Sequence, residues 1–183
     1  MNHDVAPSVV RSERLAMPLL TADQLERMLA GDLAGVGAEI GAHLPAWWIQ
    51  DRHWLLQLRL RQLREAPETG PWLLRPIVLA DDEPVSMGLL NFHGPPDDRG
   101  FAEIGYELRP EFWGKGYATE AVRAMFDWAA AEHGVTRFRA GIAPDNQRSM
   151  NVVTRLGMRR VGAQWDDGDG LELLWTVEGW GLA

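Results

Sequence analysis

Hydrophobic and polar positions alternate along this chain with two periods, and the switches between them mark most of the elements. Over residues 101–108 (FAEIGYEL) the period is two. Ile104, Tyr106 and Leu108 fall on one face and Glu103, Gly105 and Glu107 on the other, which predicts a strand. Over 117–133 the period is helical: Ala118, Val122, Met125 and Ala129 recur on one stripe that Ala121 and Trp128 widen, and Gly134 is the stop. Residues 137–143 predict a further strand, and 146–156 a second helix closed by Gly157. A last pair of strands is predicted over 158–165 and 171–177 around the turn DDGDG, the second alternating as Leu171, Leu173, Trp175 and Val177.

The first half is less regular. Residues 9–20 predict one strand, and 21–30 (TADQLERMLA) a helix capped by Thr21 and ended by Gly31. A loose stretch runs to Leu44. Residues 45–65 predict a single helix that opens on Pro45, with Leu56, Leu60 and Leu63 on one stripe, Trp54 and Leu58 beside it, and arginines on the other face. After a break at 67–71, strands are predicted over 72–80 and 84–92, joined by the acidic turn DDE, with Pro76 demoting part of the first to an edge or a break. Residues 93–100 form a loop. The chain is therefore mixed α/β (α+β), its helices and strands interleaved in the second half. No repeat, low-complexity segment or linker divides it, so 1–183 is expected to be one domain, with residues 1–8 a flexible arm.

Composition narrows the chemistry. The 183 residues are 46% hydrophobic and 24% charged, the profile of a globular chain. There is no cysteine, which removes disulfides, thiolate nucleophiles and cysteine-ligated metals, and fits a reducing compartment; the cytosol is the expected location. No apolar run of about 18 residues predicts a membrane span, and the N-terminus lacks the order of a signal peptide. The net charge of −8, most of it beyond Pro67, disfavours non-specific nucleic-acid binding. It would attract an amine or a basic protein terminus, although solubility alone also explains it. The five histidines show neither H-x-H nor H-E-x-x-H spacing, so no metal is expected. Ser86 lacks the first glycine of a nucleophile elbow. Trp47, Trp48 and Trp54 either pack in the core or wall a substrate slot or a homodimer contact.

The most informative segment is 108–120 (LRPEFWGKGYATE), where a strand ends, Gly114 and Gly116 flank the only lysine of the 18 basic residues, Lys115, and a helix begins. Glycines let the backbone adopt positive φ, and the first amides of a helix have no partner within it. Together with the helix dipole and Lys115 they make a cradle for a phosphate or pyrophosphate. The same residues also suit a plain turn before a helix. The segment is not a P-loop, because Arg109 and Gly116 stand where glycine and Ser or Thr are needed. It is not a dinucleotide fingerprint either, since Thr119 replaces the third glycine.

The stretch from Glu103 to Glu120, with APDNQRSMNVVTRLGM over 143–158, resembles the GNAT N-acetyltransferase superfamily, most closely the branch of the ribosomal-protein N-terminal acetyltransferases RimJ and RimL. The family's [Q/R]-x-x-G-x-[G/A] loop maps to Trp113, Gly114, Lys115, Gly116, Tyr117 and Ala118, with Trp113 departing from the usual first residue. Its N-x-x-S-x-x-V block, ending in L-G-[F/M], maps to Asn146, Ser149, Val152, Leu156, Gly157 and Met158.

The resemblance implies a twisted, mixed sheet of about seven strands flanked by helices, with acetyl-CoA as co-substrate in a splay between the central strands. The pantetheine arm would run along the strand ending at Leu108. The loop residues through Thr119, together with Asn146, would hold the rest of the cofactor. An amine acceptor, a small molecule or a protein N-terminus, would attack the thioester directly, without metal or covalent intermediate. A carboxylate is the implied base: Glu103 is favoured, with Glu107 or water open. The tyrosine that protonates the departing thiolate in many members is replaced by Val153, leaving Ser149 as the substitute. That loss also keeps open a CoA-binding module without turnover, and a nucleotide-dependent oxidoreductase stands only if the loop binds a dinucleotide.

Overall fold

The computed structural model describes residues 8–166, 168 and 170–182; the expected N-terminal arm lies outside the described residues except for Ser8, as does part of the DDGDG turn. Eight strands form one sheet: β1 (Val9–Arg11), β2 (Leu15–Pro18), β3 (Arg75–Leu79), β4 (Val85–Phe92), β5 (Phe101–Leu108), β6 (Arg137–Ile142), β7 (Arg159–Asp166) and β8 (Gly170–Glu178). Their order is β1-β2-β3-β4-β5-β6-β8-β7. Among the described residues six α-helices cover it: α1 (Ala22–Leu29), α2 (Leu33–Ile40), α3 (Trp47–Gln50), α4 (His53–Glu65), α5 (Tyr117–His133) and α6 (Gln147–Arg155).

Alternation along the central strands sends side chains into two cores. In β4, Leu90 and Phe92 join Ile104, Phe126, Phe138 and Val153 beneath α5 and α6. Leu89 points the other way, into a cluster with Leu25, Val36, Trp48, Leu56 and Leu60 from α1 to α4. Phe126 stacks on Phe138 with ring centroids 3.9 Å apart. Each buried large side chain of α5 contributes about 1.5–3 kcal/mol, which holds the helix against the sheet.

The strand predicted over 9–20 is a hairpin. The polar run Ser12-Glu13-Arg14 forms its turn, with the Ser12 amide donating to the Leu15 carbonyl at 3.0 Å and the Leu15 amide to Ser12 Oγ at 3.2 Å. That division makes eight strands rather than about seven. Within the loose stretch lies α2, capped by Asp32, whose carboxylate accepts from the Gly35 amide at 2.8 Å. Glycine suits the packing there, since a Cβ on Gly37 would sit 2.6 Å from the Ala42 carbonyl.

The helix predicted over 45–65 breaks at Asp51 and Arg52 into α3 and α4, because both side chains are drawn to β5 and its exit. The strand predicted from Trp72 starts at Arg75, a short 3₁₀ turn (Pro67–Trp72) occupying the first positions. Pro76 pairs with Leu89 of β4 on one side and precedes Val78 and Leu79, where β3 pairs with β2, so its missing N–H costs no ladder bond to β2. Arg75 is fully buried without a carboxylate partner among the described residues. It donates to the carbonyls of Ser8, Met17 and Pro71, and burial lowers its pKa to about 10.

One irregularity of the sheet positions everything that follows. β5 and β6 run parallel and pair only from Phe101↔Arg137 to Glu103↔Arg139. Beyond Glu103, β5 stays paired with β4 out to Leu108, while β6 is paired with β8 out to Ile142. The two strands therefore part, and the β6-facing backbone edge of residues 104–108 has no strand partner among the described residues.

Candidate active site

Directly after the parted end of β5, the chain makes a 3₁₀ turn (Pro110–Phe112) and enters α5 through Gly114 and Gly116, at φ +77° and +82°. Side chains rarely adopt these angles, which is the local reason for both glycines. Among the described residues no side chain caps α5. The amides of its first turn therefore point outward beside Gly114, where a Cβ would meet nothing within 4 Å. An uncapped helix N-terminus opening on free space is an anion site in form.

Three contacts set this loop. Trp113 Nε1 donates to the Leu108 carbonyl at 2.8 Å and closes the loop onto the strand end. Arg14, from the β1–β2 turn, donates to the Lys115 carbonyl at 3.2 Å and lies 4.5 Å over the Tyr117 ring. Glu120, in the first turn of α5, accepts from Ser12 Oγ at 2.7 Å and from the Arg14 amide at 2.9 Å, and forms an ion pair with the Arg14 side chain at 2.6 Å. Burial works to raise the Glu120 pKa, but the bonds from Ser12 and Arg14 outweigh it and hold the carboxyl below its usual value.

The opposite wall is α6. Asn146 caps it, its Oδ1 accepting from the Ser149 amide at 3.1 Å. Tyr106, from the parted half of β5, donates its hydroxyl to the Ser149 carbonyl at 3.2 Å, and burial pushes that phenol up to about 12. Arg148 lays its guanidinium 3.9 Å over the Trp113 ring.

Between these walls is a cleft of about 600 Å³. It brings together Leu108, Trp113, Gly114, Gly116, Tyr117, Ala118 and Thr119 from the strand end and loop, with Asn146 and Ser149 from α6. Tyr106, Arg148 and Arg155 also line it, and sequence reasoning passed over all three. A signal was present for the arginines, since Arg148, Val152 and Arg155 follow helical spacing on the stripe that carries Ser149.

Lys115, Val153 and Glu103 lie elsewhere. The Lys115 side chain is not part of the cleft wall; its Nζ sits 5.8 Å from the centre of the Phe112 ring. Val153 is fully buried. Glu103 is on the other face of β5, at the last residue paired with β6, where Arg139 grips its Oε2 through Nε and Nη2, both at 2.8 Å. Its Oε1 faces His93 Nδ1 at 3.6 Å. Glu107 also lines the cleft, and its carboxylate accepts from Arg52 Nε at 2.7 Å; Asp51 pairs with Arg109 at 2.8 Å, and the two contacts tie the α3–α4 junction to the end of β5. Trp47 and Trp48 are buried and stacked 4.7 Å apart, Trp48 Nε1 donating to Ser86 Oγ at 3.1 Å, whereas Trp54 is exposed.

A model of the acetyltransferase (GNAT) domain matches residues 20–159, a span holding α1 to α6, the parted strands and both walls of the cleft. The chain belongs to the GNAT acetyltransferases. Curated relatives of this GNAT chain include the uncharacterized N-acetyltransferase p20 of Bacillus licheniformis, 34% identical over 86 residues, 47% of each protein. The uncharacterized N-acetyltransferase YnaD of Bacillus subtilis is 32% identical over 87 residues, 48% of this chain and 50% of that one. The chain thus matches about half the length of these relatives. Among solved structures, the ribosomal-protein-S5-alanine acetyltransferase of Vibrio fischeri superposes with a TM-score of 0.67 at 17% identity, covering 96% of this chain and 99% of that one. The microcin C7 self-immunity acetyltransferase MccE, solved with acetyl-CoA and AMP, gives 0.63 at 18% identity, covering 91% and 93%. Among the described residues, no helix is long and apolar enough to cross a membrane and no group of three His, Asp or Glu could hold a metal ion.

Proposed function

We propose that this chain moves an acetyl group from acetyl-CoA to a primary amine, either a protein N-terminus or a small amine, by direct attack. The observation that carries this reading is the parting of β5 from β6 immediately before an uncapped helix N-terminus. A backbone edge and an uncapped helix start then follow one another along one cleft, which suits a thioester on a pantetheine arm with a diphosphate at its far end.

In this reading the diphosphate sits on the amides after Gly114, with Arg148 over Trp113 adding a cation at the cleft wall. The pantetheine arm hydrogen-bonds the free edge of residues 104–108, where a main-chain N–H also polarises the thioester oxygen. Bound acetyl-CoA supplies the activated acyl carbon. The acceptor arrives on the far face of β5, where Glu103 provides the carboxylate of the proton-accepting arm. On the cleft face the departing sulfur meets the start of α6, near the Ser149 hydroxyl and the neutral Tyr106 phenol.

The test is release of free thiol from acetyl-CoA in the presence of a panel of alkyl amines and N-terminal peptides, alongside calorimetric titration of CoA, ATP and NAD. Binding of CoA with thiol release on at least one amine is the expected result. Tight NAD binding with none for CoA, or CoA binding without turnover on any amine, refutes it.

A further inference from the structure

We infer that His93 is the group that takes the proton from the acceptor amine, with Glu103 acting through it as a positioning residue; this deepens the acetyl-transfer reading and rests on it. His93 follows β4 directly, and its amide donates to the Glu103 carbonyl at 2.9 Å, so the two side chains are cross-strand neighbours on one face. That face is the one turned away from the cleft lined by Ser149 and Tyr106.

Three observations converge on the ring. First, the Glu103 carboxylate is engaged: Oε2 takes two bonds from Arg139, which Asp97 also contacts at 3.2 Å. Only Oε1 remains, and it faces His93 Nδ1 at 3.6 Å. Second, the other ring nitrogen lies over Gly105. A Cβ added there would come 3.0 Å from Nε2, so the glycine is what lets the imidazole lean along β5. Third, Gly105 lies just past the last β5–β6 pair at Glu103, at the mouth of the opening. The His93 side chain is 55% exposed, whereas that of Glu103 is 15% exposed, so of the two it is the ring that an incoming amine can reach. The charged groups around it are Glu103 on β5, Arg139 on β6 and Asp97 on the connecting loop.

With its proton on Nδ1 toward Glu103, the neutral ring offers the Nε2 lone pair. An ammonium gives one proton to Nε2, and Glu103 stabilises the imidazolium formed. The amine nitrogen then bonds to the thioester carbon. As the carbon–sulfur bond breaks, its electron pair goes to sulfur and the nitrogen's second proton ends on the thiol. The ring returns its proton to water, and the products are the amide, CoA thiol and one released proton.

The experiment compares wild type, His93→Gly, Glu103→Gln and the double variant at saturating acetyl-CoA. The acceptors range from alkyl amines, which arrive protonated, to aniline or methoxyamine, which arrive neutral. His93→Gly should lower kcat/KM on alkyl amines by about 100-fold, the scale of a positioned general base, and by less than about 5-fold on the weakly basic amines. Added imidazole should restore part of the loss, and CoA affinity should be unchanged. Glu103→Gln should slow the wild type yet add nothing in the His93→Gly background, since the carboxylate works through the ring. Full activity of His93→Gly on alkyl amines overturns the inference. So does an equal loss on every amine without imidazole rescue, or additivity of the two substitutions. A wild type that transfers no acetyl group to any amine overturns the parent reading as well, which separates the two failures.

Discussion

Replacing Arg148 by alanine tests whether this wall of the cleft grips a phosphate. The guanidinium is held 3.9 Å over Trp113, facing a cleft whose loop wall is the uncapped start of α5. A charge-assisted hydrogen bond is worth about 1.5–3 kcal/mol, and each 1.4 kcal/mol is a factor of ten, so the range for one phosphate contact is about 10- to 150-fold. Arg148 is exposed, which screens the charge and puts the expected loss near 10-fold at about 0.1 M salt. The stacking on Trp113 contributes about 0.5–1 kcal/mol to stability, so melting should fall by no more than about 4 °C. The assay is calorimetric titration of CoA and of pantetheine, at low and high salt. Weakened CoA binding, unchanged pantetheine binding and a flatter salt dependence are expected. Equal weakening of both ligands, or no change in either, would refute the assignment of Arg148 to a phosphate.

Gly116→Ala forces a side chain to φ +82°, which should cost about 1–2 kcal/mol in a denaturant titration and, by turning the first amides of α5, weaken CoA more than pantetheine. Glu120→Gln removes an acid whose folded pKa lies below its unfolded value. The stability it provides is present above about pH 4.3 and lost as pH falls through the folded value, so the gap between wild type and variant should be full at pH 7 and close in acid; a constant gap would contradict this. Tyr106→Phe should cost about 1 kcal/mol of stability and lower kcat more than CoA affinity. Because its phenol titrates near 12, the variant's pH–rate profile between 6 and 10 should keep the wild-type shape.

How much of this was legible in the chain depends on how far apart the interacting groups are. The capped helix α1, strand β5, helix α5 and the glycine turn before it were readable because each rests on neighbours within a few positions: Thr21 with Gln24, alternation along 101–108, positive φ at Gly114 and Gly116. The α3–α4 break was not. Nothing local stops a helix at Asp51-Arg52; the partners, Arg109 and Glu107, lie more than 50 residues away. The β1–β2 turn was missed because Ser12-Glu13-Arg14 contains neither glycine nor proline, and its fixing partner Glu120 is over 100 residues downstream.

The sequence by itself determined the glycine turn and the uncapped start of α5. Their residues are contiguous, and backbone freedom at two glycines together with unpaired helix amides follows from the chain's own covalent geometry. Tertiary structure alone decided what surrounds that turn. Which strand leaves which, that α6 closes the cleft through Tyr106 and Ser149, and that Arg139 engages Glu103 while His93 leans over Gly105 are consequences of parallel pairing ending at Glu103. Register between distant strands is set by the packing of the whole sheet, and no short window of sequence carries it.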